Sequence, residues 1–174
     1  MSVVPATRLH SFPPVIRLDA RLLILGSMPG AASLAAQQYY AHPQNQFWPI
    51  MERLFGVRSS LPYERRLLGL QHRRVALWDV LHSCVRCGSL DAAIEHGSAV
   101  PNDLPLLLRA HPRIERVCCN GGTAYRALQR YFGAQLQREF PQLVCLRLPS
   151  TSPAHARMRP ADKLRAWHGA LKDA

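Results

Sequence analysis

The chain has 174 residues, 48% of them hydrophobic and 19% charged, with a formal charge of +11. That length suits one domain, residues 1 to 174, whose core needs no disulfide or metal staples. No window approaches the roughly 18 uninterrupted apolar residues of a membrane span, and residues 1 to 19 lack a basic-then-apolar signal pattern, so a soluble, cytoplasmic protein acting at the nucleoid is expected.

Nearly all of the positive charge is arginine: Lys163 and Lys172 are the two lysines among 22 basic residues. The guanidinium fork matches phosphate oxygens, so a polyanionic partner is one reading, and a genome rich in arginine codons is the other. No basic run exceeds two residues, which speaks against a disordered basic tail. Cys84 and Cys87 have the two-residue gap of zinc and redox sites, but no second pair accompanies them. Cys118, Cys119 and Cys145 sit in apolar runs, as small core residues do. No metal and no cofactor are expected.

Residues 1 to 20 carry Pro5, Pro13 and Pro14, so a wrapped arm is expected there in place of a regular element. Leu22 to Leu25 is an apolar run bounded by charge and glycine, the pattern of a strand covered on both faces. A Gly/Pro turn and a short small-residue helix follow. From Phe47, apolar Ile50, Met51, Leu54 and Phe55 recur at helical spacing up to Gly56. Another helix is expected over 62 to 71, then a strand over 75 to 78, and a polar loop from Asp79 to Ser89. Asn102 or Asp103 can cap the helix bearing Leu104, Leu107 and Leu108. Residues 114 to 119 form the third strand, Ala124 to Phe132 a helical stripe and 143 to 148 the fourth strand. The last helix carries Leu164, Trp167 and Leu171.

Alternating apolar strands and helices predict an α/β protein, a three-layer α/β/α domain with a central four-stranded, mainly parallel sheet. Ligands of such sheets bind outside the carboxyl ends of the strands. The loops there contain GSMPG, Asp79 to Ser89, NGGT and PSTSPAH, so Ser27, Asn45, Asp79, Asn120, Ser150, Thr151, Ser152 and His155 should gather at one edge, beside Tyr39 and Tyr40. Amides and hydroxyls can read the rim of a planar heterocycle, and a tyrosine ring can stack on its face. The paired carboxylates of ordinary glycosidases are not expected, because Asp79 stands alone. Dinucleotide and Walker-type glycine motifs are absent from the sequence.

Gly26-Ser27-Met28-Pro29-Gly30 resembles the first motif of the uracil-DNA glycosylase superfamily. Ser33-Leu34, Tyr39 to Trp48, Ala76 to Val80, Ser89-Leu90-Asp91, Asn120 to Ala124 and Ser150 to Ala154 are similar, in order, to its hypoxanthine-DNA glycosylase branch (DNA-deoxyinosine glycosylase, family six). The resemblance implies a uracil-DNA glycosylase-like fold and a monofunctional DNA N-glycosylase of base excision repair. Such an enzyme flips a deaminated base, chiefly hypoxanthine, out of double-stranded DNA and hydrolyses its N-glycosidic bond, leaving an abasic site. A uracil or mismatch glycosylase, or a non-catalytic damaged-DNA-binding module of this fold, are the alternatives. Where many members carry a water-handling Asp or Asn, this chain has Met28, so the resemblance moves the catalytic role to Asn45. It implies base binding by Ser27, Met28, Tyr40, Asp79 and Asn120. DNA contacts fall to Ser150, Thr151, Ser152, Pro153, Ala154, His155 and Arg157, with Pro153 to His155 as the wedge. Leu148 stands where some members have a catalytic histidine. The iron-sulfur cysteines of other branches are unmatched, and a monomer is expected.

Overall fold

The structure, a computed structural model, describes residues 7–171. Four strands form a parallel sheet in the order β3 (Val75–Asp79), β2 (Leu22–Gly26), β6 (Arg116–Asn120), β7 (Val144–Leu148). β2 and β3 are buried at every position, as an apolar run covered on both faces requires. Successive side chains alternate between two cores. Leu23, Leu25, Ala76, Trp78, Val117 and Cys119 pack against α4 (Leu104–Ala110) and α5 (Gly122–Glu139). Leu22, Ile24, Val75, Leu77 and Cys118 face α2 (Phe47–Phe55), α3 (Tyr63–His72) and α6 (Pro160–Leu171). Fully burying each Leu or Ile of β2 contributes on the order of 1.5–3 kcal/mol.

The short small-residue α1 (Ala31–Ala36) follows the first turn, and the other helix ends follow local rules. Asp103 Oδ1 accepts from the Leu106 N–H at 3.0 Å, capping α4, and Gly56 closes α2 with φ +70°.

Two expectations need correction. The N-terminal arm is not wholly irregular: β1 (Arg8–His10) pairs antiparallel with β4 (Leu81–Val85), which also pairs with the short β5 (Val100–Pro101). Further along, Val15 exchanges hydrogen bonds with Leu77, and Trp78 Nε1 donates to the Phe12 carbonyl at 3.2 Å. Residues 1–6 of the arm lie outside the described residues. The expected polar loop after Asp79 is therefore largely β4, whose apolar side seats Leu81 and Cys84 beside Met28.

The register aligns Gly26 with Asp79 and Asn120 with Leu148, so these four residues end their strands at one edge. There the chain doubles back on the first turn: the Val80 and Leu81 N–H groups donate to the Gly26 and Ser27 carbonyls at 2.8 and 3.0 Å.

Candidate active site

At this carboxyl edge lies a cavity of about 300 Å³. It gathers Ser27, Met28, Tyr40, Asn45, Asp79, Asn120 and Ser150 to Ala154 from the sequence expectation. His155 lines a neighbouring hollow with Arg126 and Arg147, and Arg157 is exposed outside both.

Asn45 sits half-buried just ahead of α2. Its backbone N–H donates to the His42 carbonyl and its Oδ1 accepts from the Phe47 N–H, each at 2.9 Å. This local turn is typical of an asparagine before a helix and fixes the amide. The oxygen is occupied, which leaves Nδ2 as the free donor in the cavity wall. Next to it, the Gln46 N–H donates to the Thr151 carbonyl at 2.9 Å and ties this loop to the one after β7.

Tyr40 adopts a left-handed backbone with φ +57°, and its ring stacks on Phe47 with centroids 3.8 Å apart. Phe47 thus takes one face, and a planar ligand can use only the other. The buried Tyr40 hydroxyl lies within reach of the Asn120 amide, without a hydrogen bond of regular geometry among the described residues. Burial, then the charge of Asp79, holds it protonated well above the ordinary tyrosine range.

Asp79 is 3% exposed, and its Oδ2 is shut off from solvent with no hydrogen-bond partner among the described residues. Its carbonyl accepts from Asn102 Nδ2 at 2.8 Å, which fixes the backbone and leaves the carboxyl free. Burial, reinforced by Asp91 and opposed by Arg86, pushes this carboxyl up to about 8. Gly26 makes room for it, since a methyl on Gly26 would collide with Asp79 Oδ1 and lie 3.5 Å from the Tyr40 hydroxyl. Gly26→Ala should displace Asp79, costing about 1–3 kcal/mol of stability; the thermal unfolding temperature of the variant should fall, and an unchanged value would contradict this packing.

Asp91 enters the sequence expectation only within the Ser89-Leu90-Asp91 motif, with no role of its own; its carboxylate joins Asp79 in the wall and corrects the expectation that Asp79 stands alone. Asp91 Oδ2 accepts from Ser27 Oγ at 2.5 Å, and its Oδ1 lies 3.5 Å from the Arg86 guanidinium. Burial raises the Asp91 pKa, while Ser27 and Arg86 favour its ionised form. The Arg86 side chain is itself fully buried and donates to the Pro29 carbonyl at 2.5 Å and the Gly88 carbonyl at 3.0 Å. Arg86 thereby clamps the loop carrying Asp91 onto the first turn. The signal in the sequence was a lone carboxylate after Ser89-Leu90, which gains meaning only from that clamp.

Several residues brace the site. Asn120 uses both ends of its amide on Thr151, donating to Oγ1 and accepting from the backbone N–H, each at 2.9 Å. Thr151 is completely buried, so its hydroxyl serves this contact and does not face a phosphate. The buried Lys163 donates to the Ser152 carbonyl at 3.1 Å, and Trp167 Nε1 to the Pro149 carbonyl at 2.9 Å. These hold the loop from below and leave Ala154 exposed at its tip. Met28 packs against Leu81 and Cys84, giving the first turn an apolar side chain where acid-base chemistry would need a polar one.

The family profile described as the Uracil DNA glycosylase superfamily matches residues 13–171. The chain belongs to the uracil DNA glycosylase superfamily. Among superfamily relatives, it is 36% identical over 151 residues to the hypoxanthine DNA glycosylase of Methanosarcina acetivorans, covering 85% of this chain and 89% of that protein. The hypoxanthine DNA glycosylase of Methanosarcina barkeri is 37% identical over 113 residues, or 64% of this chain and 70% of that one. A solution NMR structure of a Methanosarcina acetivorans protein, described as a candidate uracil DNA glycosylase, superposes with a TM-score of 0.74 at 30% identity, covering 94% of this chain and 98% of that one. The superfamily membership inferred from the motifs and the α/β fold expected from alternating strands and helices are thus borne out. Among the described residues no helix is long and apolar enough to cross a membrane, and no cluster of three or more His, Cys, Asp or Glu is placed to hold a metal.

Proposed function

We propose that this chain is a monofunctional DNA N-glycosylase that excises deaminated bases, chiefly hypoxanthine, from double-stranded DNA. The observation that carries the reading is the cavity at the carboxyl edge, with the Asn45 Nδ2 donor and Tyr40 ring in its wall, in a chain similar to two hypoxanthine DNA glycosylases. A flipped purine would lie with one face against Tyr40 and its polar edge toward Asn45 and Asp79. Asn45 acts as a preorganised donor to charge developing on the departing base. Ser27 serves indirectly by fixing Asp91, and Asn120 by fixing Thr151.

The loop of Ser150 to His155 enters the minor groove, with Pro153 and Ala154 as the wedge. Ser150, Ser152, His155 and Arg157 contact the backbone around it. The hollow beside the cavity suits a phosphate: α5 opens on Gly121, which has φ +102° and no capping side chain, and Arg126 and Arg147 flank it. The profile match over 13–171 and the two cores that share one sheet support a single glycosylase domain. At roughly ten base pairs of reach, a monomer suffices.

Duplexes carrying deoxyinosine, deoxyuridine or deoxyxanthosine, treated with the protein and then with alkali, test the substrate. Strand cutting at deoxyinosine is expected; cutting at deoxyuridine alone would assign it to uracil excision. Binding to damaged duplex without base release would favour the non-catalytic module that Met28 suggests. Lesion-duplex affinity should fall with salt at a slope of about −0.9 per phosphate neutralised, and a flat response would refute the arginine contacts.

A further inference from the structure

Heterolysis of the C1′–N9 bond leaves the bonding pair on the purine, and a buried cavity disfavours an unneutralised anion. Amide donors such as Asn45 can stabilise that charge but cannot release a proton. The Tyr39 and Tyr40 hydroxyls are held protonated by burial. His42 also lines the cavity, but it is exposed and its Nδ1 accepts from the Gln44 N–H at 3.1 Å, so the buried acids of the wall are Asp79 and Asp91, and their surroundings differ.

Asp91 lies between a hydroxyl donor and a guanidinium, each favouring its carboxylate. Asp79 has neither contact. Its carboxyl lines the cavity beside Gly26, and among the described residues no group hydrogen-bonds its Oδ2. Unsatisfied polar atoms in a cavity wall are the groups a bound heterocycle would satisfy. The two carboxyls therefore have environments that separate their protonation states, as acid and carboxylate pairs require.

We propose that Asp79 is a catalytic acid of this site, donating a hydrogen bond to the flipped base and passing its proton to that base as the C1′–N9 bond breaks. The inference rests on the glycosylase reading above. The bonding pair departs with the purine, which takes the Asp79 proton and leaves neutral. Asp79 becomes a carboxylate beside the sugar cation. Water then bonds to C1′ and surrenders a proton that restores the acid. One water is consumed and no other reactant is needed.

The titratable groups around Asp79 are Asp91 and Arg86 from the loop after β4, Tyr39 and Tyr40 from the loop before α2, and Tyr63 of α3 at longer range. All three tyrosines stay neutral, so Asp91 and Arg86 are the charges that tune it.

The test is single-turnover release of hypoxanthine from deoxyinosine duplex across pH 5.5 to 9.5 (roughly the span on either side of the acid's own titration) for the wild type, Asp79→Asn and Asp91→Asn. The wild-type rate should be flat at low pH and fall about tenfold per pH unit above about 8. Asp79→Asn, which keeps a donor but no transferable proton, should lower the neutral-pH rate by about 10²–10⁴-fold and abolish the alkaline limb. Asp91→Asn should retain a limb. A wild-type profile with no alkaline fall, or an Asp79→Asn protein that keeps that fall or a near wild-type rate, would overturn the proposal. The wild-type profile decides even if the variant does not fold. Hypoxanthine release by the wild type with an unaffected Asp79→Asn variant sinks the acid role alone, whereas no release at any pH removes the glycosylase reading as well.

Discussion

Asn45→Ala should lower single-turnover excision of deoxyinosine by about 10²–10³-fold, the range for loss of one preorganised donor, while lesion-duplex affinity changes little. The side chain has two separable duties. Its Oδ1 holds the Phe47 N–H at 2.9 Å and so starts α2, and losing that contact costs about 0.5–2 kcal/mol of stability. Its Nδ2 has no hydrogen-bond partner among the described residues and carries the proposed chemistry. Asn45→Asp retains an oxygen for Phe47 but offers no amide donor. It should therefore melt near the wild type and excise as poorly as the alanine variant. Wild-type rates in Asn45→Asp would move the catalytic role elsewhere in the wall.

Asp79→Asn should be more stable than the wild type, by a margin that grows as pH rises. In the unfolded chain this carboxyl ionises in the usual range, whereas the folded protein holds its proton up to about 8. The folded state thus binds more protons between those limits, and stability falls as pH climbs through them. The contribution is favourable at acid pH and lost by mild alkali, with a ceiling of roughly 5 kcal/mol for a shift of this size. An amide of nearly the same shape has no charge to desolvate. Chemical denaturation at pH 5, 6.5 and 8 reads the effect directly. Parallel stability curves for the two proteins would mean that Asp79 ionises normally. Together with the excision profile, a rise in stability and a loss of activity would make Asp79 a site where function is kept at a cost to folding.

Much of this arrangement was legible in the sequence because it depends on periodicity. Leu22 to Gly26 and Val75 to Asp79 are buried on both faces, and an unbroken apolar run is enough to announce such strands. Parallel pairing then places the following loops at one edge, so Asn45, Tyr40 and Asp79 were found without any contact information. β4 escaped because polar His82 and Ser83 interrupt its run; Ser83 is nevertheless buried and bonded to Arg8 at 3.0 Å from the arm. Asp91 escaped because its place depends on Arg86, a buried cation whose partners are carbonyls of residues 29 and 88. Asn120 and Thr151 read alike as ligand-facing groups in the sequence, yet they satisfy each other. Which polar side chains bond one another is set by tertiary proximity, and spacing along the chain carries no trace of it.

The most direct measurement is to quantify free hypoxanthine and abasic sites together after one turnover on a deoxyinosine duplex with enzyme in excess. The two products should appear in equal amounts, with an intact phosphodiester backbone until alkali is added. Tight binding to that duplex with neither product formed would contradict the glycosylase reading.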